Sequence, residues 1–446
     1  MEGHPWVLVN KGRLGFSATD TIQFAPEHAR PQQLYWLAAR DDRAAFHALP
    51  GIEHDRFLGE QLGPETMATF RARLSARGLA PASYRLIPVS AWQWDHKIAI
   101  QMAGDLASRR LVFLGAGGDL YRAQQSIRTY QHAADPRRCF VKTALSILNT
   151  FQIRGLDPKK LRLAPAMTTW LRERLRGDAE LERAGLVVLG EVAAVTYHHP
   201  HFTQLSRGPY QFREMLGALW RESAAPHLAP RERLMSMAAL LYVDDAGEPL
   251  IVALARRAGI SLAAWLERYL TAYLRPLLHC FYHHETFFVA HGENTILVLE
   301  DGAPVRVVFK DLVEEVQVSP RVRAGMPDEL RGLVYELNDE LVPLHVLVDV
   351  FDAFFRYLGD VLATYTEVTE AAFWGMVART IRTYQADHPE LAESFARIDL
   401  FRAEFPCYPL NKYRLVIHGY GEAADNVHDL TPRFAGQLPN PIASIG

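Results

Sequence analysis

The sequence predicts an α+β fold of mixed helices and antiparallel sheets, and three observations carry that prediction. Residues 230–365 repeat apolar side chains three and four apart over long stretches, the spacing of buried helix faces. Two β-rich runs interrupt this stretch, Thr295 to Glu300 and Pro304 to Lys310, and Asp301-Gly302 between them is a strong hairpin signal. Residues 1–120 mix short elements with loops punctuated by Pro26, Pro31, Pro50, Pro64 and Pro81.

In chain order, Val7 to Val9 and residues 85–89 read as strand pieces, and 64–79 as a helix with Phe70, Leu74 and Leu79 on one side. Residues 141–154 read as a helix, because Val141, Leu145, Leu148 and Phe151 recur at helical spacing. Further helix is expected over 163–175 and 179–184, followed by a short strand at 185–189. Helices over 234–243, 261–284, 328–365 and 371–386 come next, and one strand, 414–418, in a loop-rich tail.

The composition is that of a soluble globular chain: 446 residues, 49% hydrophobic and 22% charged, enough for two or three domains or one large fold with lobes. A net charge of −3 gives no global pull toward nucleic acid or acidic membranes, so an anionic ligand needs a local cluster of positive charge. Cys139, Cys280 and Cys407 form neither a disulfide framework nor a zinc-ligand spacing and fit a reducing cytoplasm. The start of the chain lacks signal-peptide character, and Arg256 and Arg257 interrupt the apolar stretch 250–266, so no membrane span is expected.

The most informative segment begins at His291-Gly292-Glu293-Asn294. A hairpin returns the chain to its starting point, so Asn294 and Asp311 are expected side by side at its open end, with His291 nearby. An amide oxygen beside a carboxylate suits Mg²⁺, and Glu314 or Glu315 adds a second carboxylate. A loop ending in Asn, a hairpin and then Asp is also how kinase-like enzymes hold nucleotide-bound metal. The plainer alternative is a capping Asn and a loop Asp.

A second cluster comprises Ser126, Arg128, Thr129, Lys142, Thr143, Ser146, Asn149 and Arg154. Phosphate oxygens are held by guanidinium forks, ammonium groups and hydroxyls, which this cluster supplies. Ordinary surface charges and helix caps would account for it equally well. On the helical reading, Lys142 and Ser146 share a face.

Tyr197-His198-His199-Pro200-His201 would place alternate residues together on a strand, and His283-His284-Glu285 has no ligand partner at a defined distance; both read as polar loop or helix-end histidines, the first with a substrate-pocket role as the alternative. Trp36, Trp92, Trp94 and Trp220 read as core.

Four stretches together resemble the IucA/IucC-type, NRPS-independent siderophore synthetases, in the branch that includes the alcaligin and desferrioxamine enzymes. They are Gly3-His4-Pro5-Trp6 with Lys11 to Phe16; Pro88 to Trp94; Ser126 to Thr129 through Val141-Lys142-Thr143 to Arg154-Gly155-Leu156; and His291 to Asn294 through Lys310-Asp311. The resemblance implies a palm-and-fingers synthetase fold with a kinase-like nucleotide-binding hairpin. Residues 1–120 would be a remnant of the N-terminal substrate region, 121–225 the fingers, and 226–446 the palm with its metal-binding hairpin at 291–315. It implies ATP and Mg²⁺, adenylation of a carboxylate, and attack by an amine or hydroxyl of an N-hydroxy-N-succinyl diamine.

Carried over by residue, Ser126, Arg128, Thr129, Lys142, Thr143 and Arg154 would hold phosphates, and His291 and Asn294 would contact nucleotide. Asp311 and Glu315 would hold Mg²⁺. His4, Lys11, Trp92 and Gln93 would face substrate, and Arg128, Lys142 and His291 would be catalytic. A homodimer is one assembly the resemblance allows. The sequence departs from the family at Ser90-Ala91, where His-Pro is usual, which bears on acyl specificity. Its Gly-His-Pro motif opens the chain, so most of an N-terminal thumb lobe is expected to lie outside it. Two other readings remain: a kinase-like small-molecule phosphotransferase resting on the same hairpin, disfavoured by the lack of a glycine-rich loop, and an inactive truncated paralogue that only binds ligand, suggested by the expected absence of the thumb lobe.

Overall fold

The computed structural model describes residues 13–149, 152–204, 210–407 and 436–445. Its N-terminal half is organised by one eight-stranded sheet in the order β2-β10-β11-β6-β5-β4-β1-β3. The strands, numbered along the whole chain, are β1 (Gln32–Arg40), β2 (Ala44–Ala48), β3 (Tyr84–Ser90), β4 (Leu111–Ala123), β5 (Thr129–His132), β6 (Phe140–Thr143), β10 (Glu191–Tyr197) and β11 (Gly217–Arg221). Every neighbouring pair runs antiparallel. Helices His54–Leu62 and Pro64–Ser75 bury Phe57, Leu58, Phe70 and Leu74 against Trp36, Leu114, Val195 and Trp220 on one face. The helix Pro158–Leu175 covers part of the other, where Leu161 and Ala164 meet Ala194 and Leu219. β10 is therefore buried along its whole length, as its unbroken Val-Ala-Ala-Val centre requires.

The second half packs around the helix Leu262–Tyr282, whose Ser261 cap accepts a hydrogen bond from the Ala264 N–H at 3.2 Å. Trp265, Tyr269 and Tyr273 are fully buried, and the core continues into Phe351, Phe355, Phe373 and Trp374. Against it lies a small sheet, β12-β14-β15-β9, of β12 (Glu232–Ser236), β14 (Thr295–Glu300), β15 (Ala303–Phe309) and β9 (Val187–Val188). β14 and β15 form the expected hairpin, with Glu300 opposite Ala303.

Both turn residues adopt positive φ, 49° at Asp301 and 93° at Gly302, the geometry that matches strand twist. The Trp265 indole N–H donates to the Gly302 carbonyl at 2.8 Å and pins the turn to the long helix. A Cβ on Gly302 would lie 2.8 Å from the Leu254 carbonyl oxygen. Gly302→Ala is therefore expected to lower unfolding free energy by ~1–3 kcal/mol, read from urea midpoints.

Several sequence expectations change. Residues 141–154 are not a helix: β6, β7 (Leu145–Asn149) and β8 (Gln152–Arg154) follow one another instead. Val141 and Lys142 are both buried, on opposite faces of β6, so the strand shows no polar–apolar alternation and its apolar residues mimic helical spacing. Lys142 and Ser146 consequently sit on different strands. Residues 234–243 form β12 and a 3₁₀ segment, Met237–Leu241, rather than a helix. The expected helix 328–365 breaks after Arg331 and resumes at Leu344. The boundary drawn at residue 120 falls within β4, so residues on both sides of it belong to one sheet. Strand expectations at Val7 to Val9 and 414–418 lie outside the described residues. Among the described residues, no helix is long and apolar enough to cross a membrane.

Candidate functional site

Lys142 is the centre of a charged cluster where the large sheet meets the turn that follows the hairpin. β6 pairs with β11 so that Lys142 lies opposite Leu219, on the face that packs against Val313. The Lys142 side chain is 4% exposed, and its Nζ donates to Asp311 Oδ1 at 2.9 Å and to Glu314 Oε2 at 2.6 Å. Arg128 Nη2 reaches both Glu314 oxygens, at 3.2 and 3.3 Å, while its Nη1 donates to the Gly155 carbonyl. Arg221 Nη1 stands 3.7 Å from Asp311 Oδ1, its guanidinium over the Phe140 ring. The basic residues around 126–154 and the acidic residues after the hairpin therefore meet.

Two backbone positions at this junction are unusual. Asp311 adopts φ 73°, a left-handed conformation that Asp tolerates and most residues do not, and it opens the short helix Leu312–Glu315. Ile127 adopts φ 64° between Ser126 and Arg128, which is strained for a β-branched residue. Non-glycine strain of this kind concentrates at functional sites. Ser126 Oγ donates to Thr129 Oγ1 at 2.7 Å across that turn.

The segment 291–294 joins through the hairpin ladder. The Lys310 N–H donates to the Asn294 carbonyl at 3.3 Å, and Lys310 Nζ to Asn294 Oδ1 at 3.4 Å. The Asn294 side-chain amide donates to the Val289 carbonyl at 3.1 Å, and His291 Nδ1 accepts the Glu293 N–H at 3.1 Å. Arg154 donates to the Asn149 carbonyl at 3.1 Å and feels the charges of Glu293, Glu314 and Glu315.

The electrostatics follow from packing many charges in little water. Burial raises the Asp311 carboxyl, but Lys142 and Arg221 outweigh it and hold the group well below the usual range. Burial acts the same way on Glu314, which Lys142 and Arg128 bring down to about 2. Glu315 goes the other way: burial, then the charges of Asp311 and Glu314, push it up to about 7. Glu191, buried on β10 with Oε2 accepting the Val313 N–H at 3.0 Å, rises to about 7 through burial and the Asp311 charge. Burial and the neighbouring Arg221 lower Lys310 to about 8.

Between pH 4.5 and about 7, folded Glu315 keeps a proton that the unfolded chain has released. Stability therefore falls as pH rises through that window and levels off above it. Asp311 and Glu314 have the opposite sign, losing stability as pH falls below the ordinary carboxylate range. Glu191 shares the Glu315 window. Glu315→Gln is expected to remove roughly half the downward slope and to add ~2 kcal/mol near pH 8, measured by urea unfolding at about pH 5 and about pH 8.

The remaining sequence candidates have other surroundings. Gln93 is fully buried, its amide donating to Ser146 Oγ and the Met215 carbonyl, both at 2.9 Å, and accepting the Ser146 N–H at 2.8 Å. Trp92 packs with Ile127, Leu145 and Ile147. Both brace β7 and the strained turn from beneath. Thr143 is buried at the end of β6. His4 and Lys11 lie outside the described residues. Sequence reasoning gave no role to Glu191, Arg221 or Lys310. The signals available were a charged residue closing or opening an otherwise apolar strand and, for Lys310, its place beside Asp311.

Asp311, Glu314, Glu315 and Asn294 carry hard oxygens of the kind Mg²⁺ prefers, but here Lys142 Nζ bridges Asp311 and Glu314, Lys310 Nζ faces Asn294 Oδ1, and the three carboxylates are not gathered within ligand distance of one another. Burial is the main reason the Glu315 and Glu191 carboxyls are raised, with the Asp311 charge adding to it.

The chain resembles known proteins along its whole length. The IucA / IucC family model matches residues 1–242, and a model described as ferric iron reductase FhuF-like transporter matches 263–423. Putrebactin synthase from Shewanella sp. (strain MR-4) is 43% identical over 445 residues, covering all of this chain and 70% of that protein. The petrobactin biosynthesis protein AsbB from Bacillus anthracis str. Sterne superposes with a TM-score of 0.87 at 28% identity, over 99% of this chain and 73% of that one. An ATP-bound aerobactin synthetase IucA from Klebsiella pneumoniae shares the fold, with a TM-score of 0.76 at 17% identity over 99% and 75% of the two chains. The chain belongs to the IucA/IucC family, the NRPS-independent siderophore synthetases.

Proposed function

We propose that this chain uses ATP to activate a carboxylate as its adenylate and then joins it to the amine of an N-hydroxy-N-succinyl diamine, building a hydroxamate siderophore. The observation that carries the reading is Lys142, buried and shared between Asp311 and Glu314 beside Arg128 and Arg221. Such a cluster holds cations and carboxylates ready to exchange partners with a triphosphate and its metal. A relative whose structure contains ATP shares the fold, and a relative that is a putrebactin synthase aligns along the whole chain.

In this reading Ser126, Arg128, Thr129, Lys142, Thr143 and Arg154 hold the phosphates, with the sheet as fingers over a helical palm. His291 and Asn294 contact the nucleotide from a hairpin used as kinase-like enzymes use theirs. Asp311, Glu314 and Glu315 hold Mg²⁺, which when bound supplies charge neutralisation along the triphosphate. A carboxylate oxygen of the substrate attacks the α-phosphorus and pyrophosphate departs. Arg128 and Lys142 stabilise the charge that develops there. The amine nitrogen then attacks the acyl carbon, AMP departs, and His291 takes the amine proton. Trp92 and Gln93 act from beneath, fixing the strand that carries Ser146.

The purified chain, given ATP, Mg²⁺ and an N-hydroxy-N-succinyl diamine, is expected to form AMP and pyrophosphate in step with amide. Formation of ADP, or ATP binding with no turnover of any such substrate, would overturn the reading.

A further inference from the structure

A second cluster, sharing no residue with the Lys142 site, lies where three helices meet. Asp178 caps the helix Ala179–Ala184: its Oδ1 accepts the N–H groups of Glu180 and Leu181 at 3.0 and 2.9 Å. Its other oxygen, Oδ2, faces three imidazoles. His279 Nε2 stands 3.0 Å away, His284 Nε2 2.9 Å and His283 Nε2 4.0 Å. One ligand atom from each of the four residues lies within 4.8 Å of all the others.

We propose that Asp178, His279, His283 and His284 form a Zn²⁺ site that clamps the 179–184 helix to the end of the 262–282 helix. Four ligands at zinc bond lengths of ~2.0–2.1 Å stand ~3.3 Å apart in a tetrahedron, and the contacts around Oδ2 bracket that value. Three imidazole nitrogens and one carboxylate oxygen are ligands zinc accepts. His279 and His283 are one helical turn apart, their rings stacked at 4.7 Å, so both project to the same side.

The surroundings supply what a metal site needs beyond its ligands. His279 Nδ1 lies 3.0 Å from the Tyr384 hydroxyl, which orients the ring and leaves Nε2 for the cluster. The His283 side chain is 46% exposed and offers a route from solvent.

A hydrogen-bond network alone accounts for less. One carboxylate oxygen accepts from His279 and His284, which leaves His283 at 4.0 Å. The His388 ring is also drawn in, 5.2 Å from that of His279, and its Nε2 is buried with no hydrogen-bond partner among the described residues.

The test uses the untagged chain, stripped with chelator and titrated with Zn²⁺ in excess Mg²⁺ so that the carboxylate site is not counted. One equivalent is expected to bind and to raise Tm, and Co²⁺ in its place should show intense tetrahedral visible absorption. His283→Ala removes an exposed side chain, and Asp178→Asn keeps a capping oxygen, so both fold. Each is expected to weaken binding by at least ~10-fold and to lose the Co²⁺ spectrum. Failure of the wild-type chain to bind one equivalent, or unchanged binding in both variants, would overturn the proposal. Neither result bears on ATP turnover.

Discussion

Asp311→Asn is expected to lower turnover by ~10²–10³-fold while leaving a folded protein. Asn is close in shape to Asp and tolerates left-handed backbone, so the φ of 73° at this position adds little strain. Glu314 still holds Lys142 at 2.6 Å, which keeps the buried ammonium paired. The charge lost is the one that faces Lys142 and Arg221 and that, in the proposed reaction, would bind Mg²⁺. The variant should therefore unfold within ~2 kcal/mol of wild type and need more Mg²⁺ for its residual rate. Pyrophosphate release against Mg²⁺ concentration, with urea unfolding alongside, measures both. A rate within about threefold of wild type would remove Asp311 from the site.

Why some of this was legible in the sequence and some was not has a physical explanation. The hairpin could be read because its information is local: Asp301 and Gly302 supply the positive φ angles that the turn needs. From the hairpin, the placement of Asn294 near Lys310 and Asp311 follows by ladder geometry. The helix expected over 141–154 gives way to strands because burial on both faces erases the period of two by which a strand is known. Lys142 and Arg128 meet the acidic residues all the same, since their chemistry does not depend on the element carrying them.

Glu191 and Arg221 were not legible because they become neighbours only through the register of β10 against β11, where they lie directly opposite. The histidine cluster failed in sequence for the same reason. Its fourth member, Asp178, precedes His279 by 101 positions and is recognisable locally only as a helix cap. Local signals reveal turns, caps and periodicity; sites assembled by sheet pairing need the fold.

The largest combined effect is expected from Lys142→Met. Lys142 is the cation shared by Asp311 and Glu314, and its removal leaves two carboxylates facing each other with Arg128 and Arg221 as the nearest compensation. Breaking a buried ion pair from one side costs ~3–5 kcal/mol, so a clear fall in Tm should accompany a turnover loss of ~10³-fold. Stability and chemistry are separable by a double-mutant cycle. Adding Asp311→Asn to Lys142→Met removes one uncompensated charge and should recover ~1–3 kcal/mol of unfolding free energy. It should recover none of the turnover, because both groups that face the proposed triphosphate are then gone. Recovery of activity along with stability would mean that Lys142 serves only to neutralise its neighbours; recovery of stability alone assigns it to the reacting phosphates.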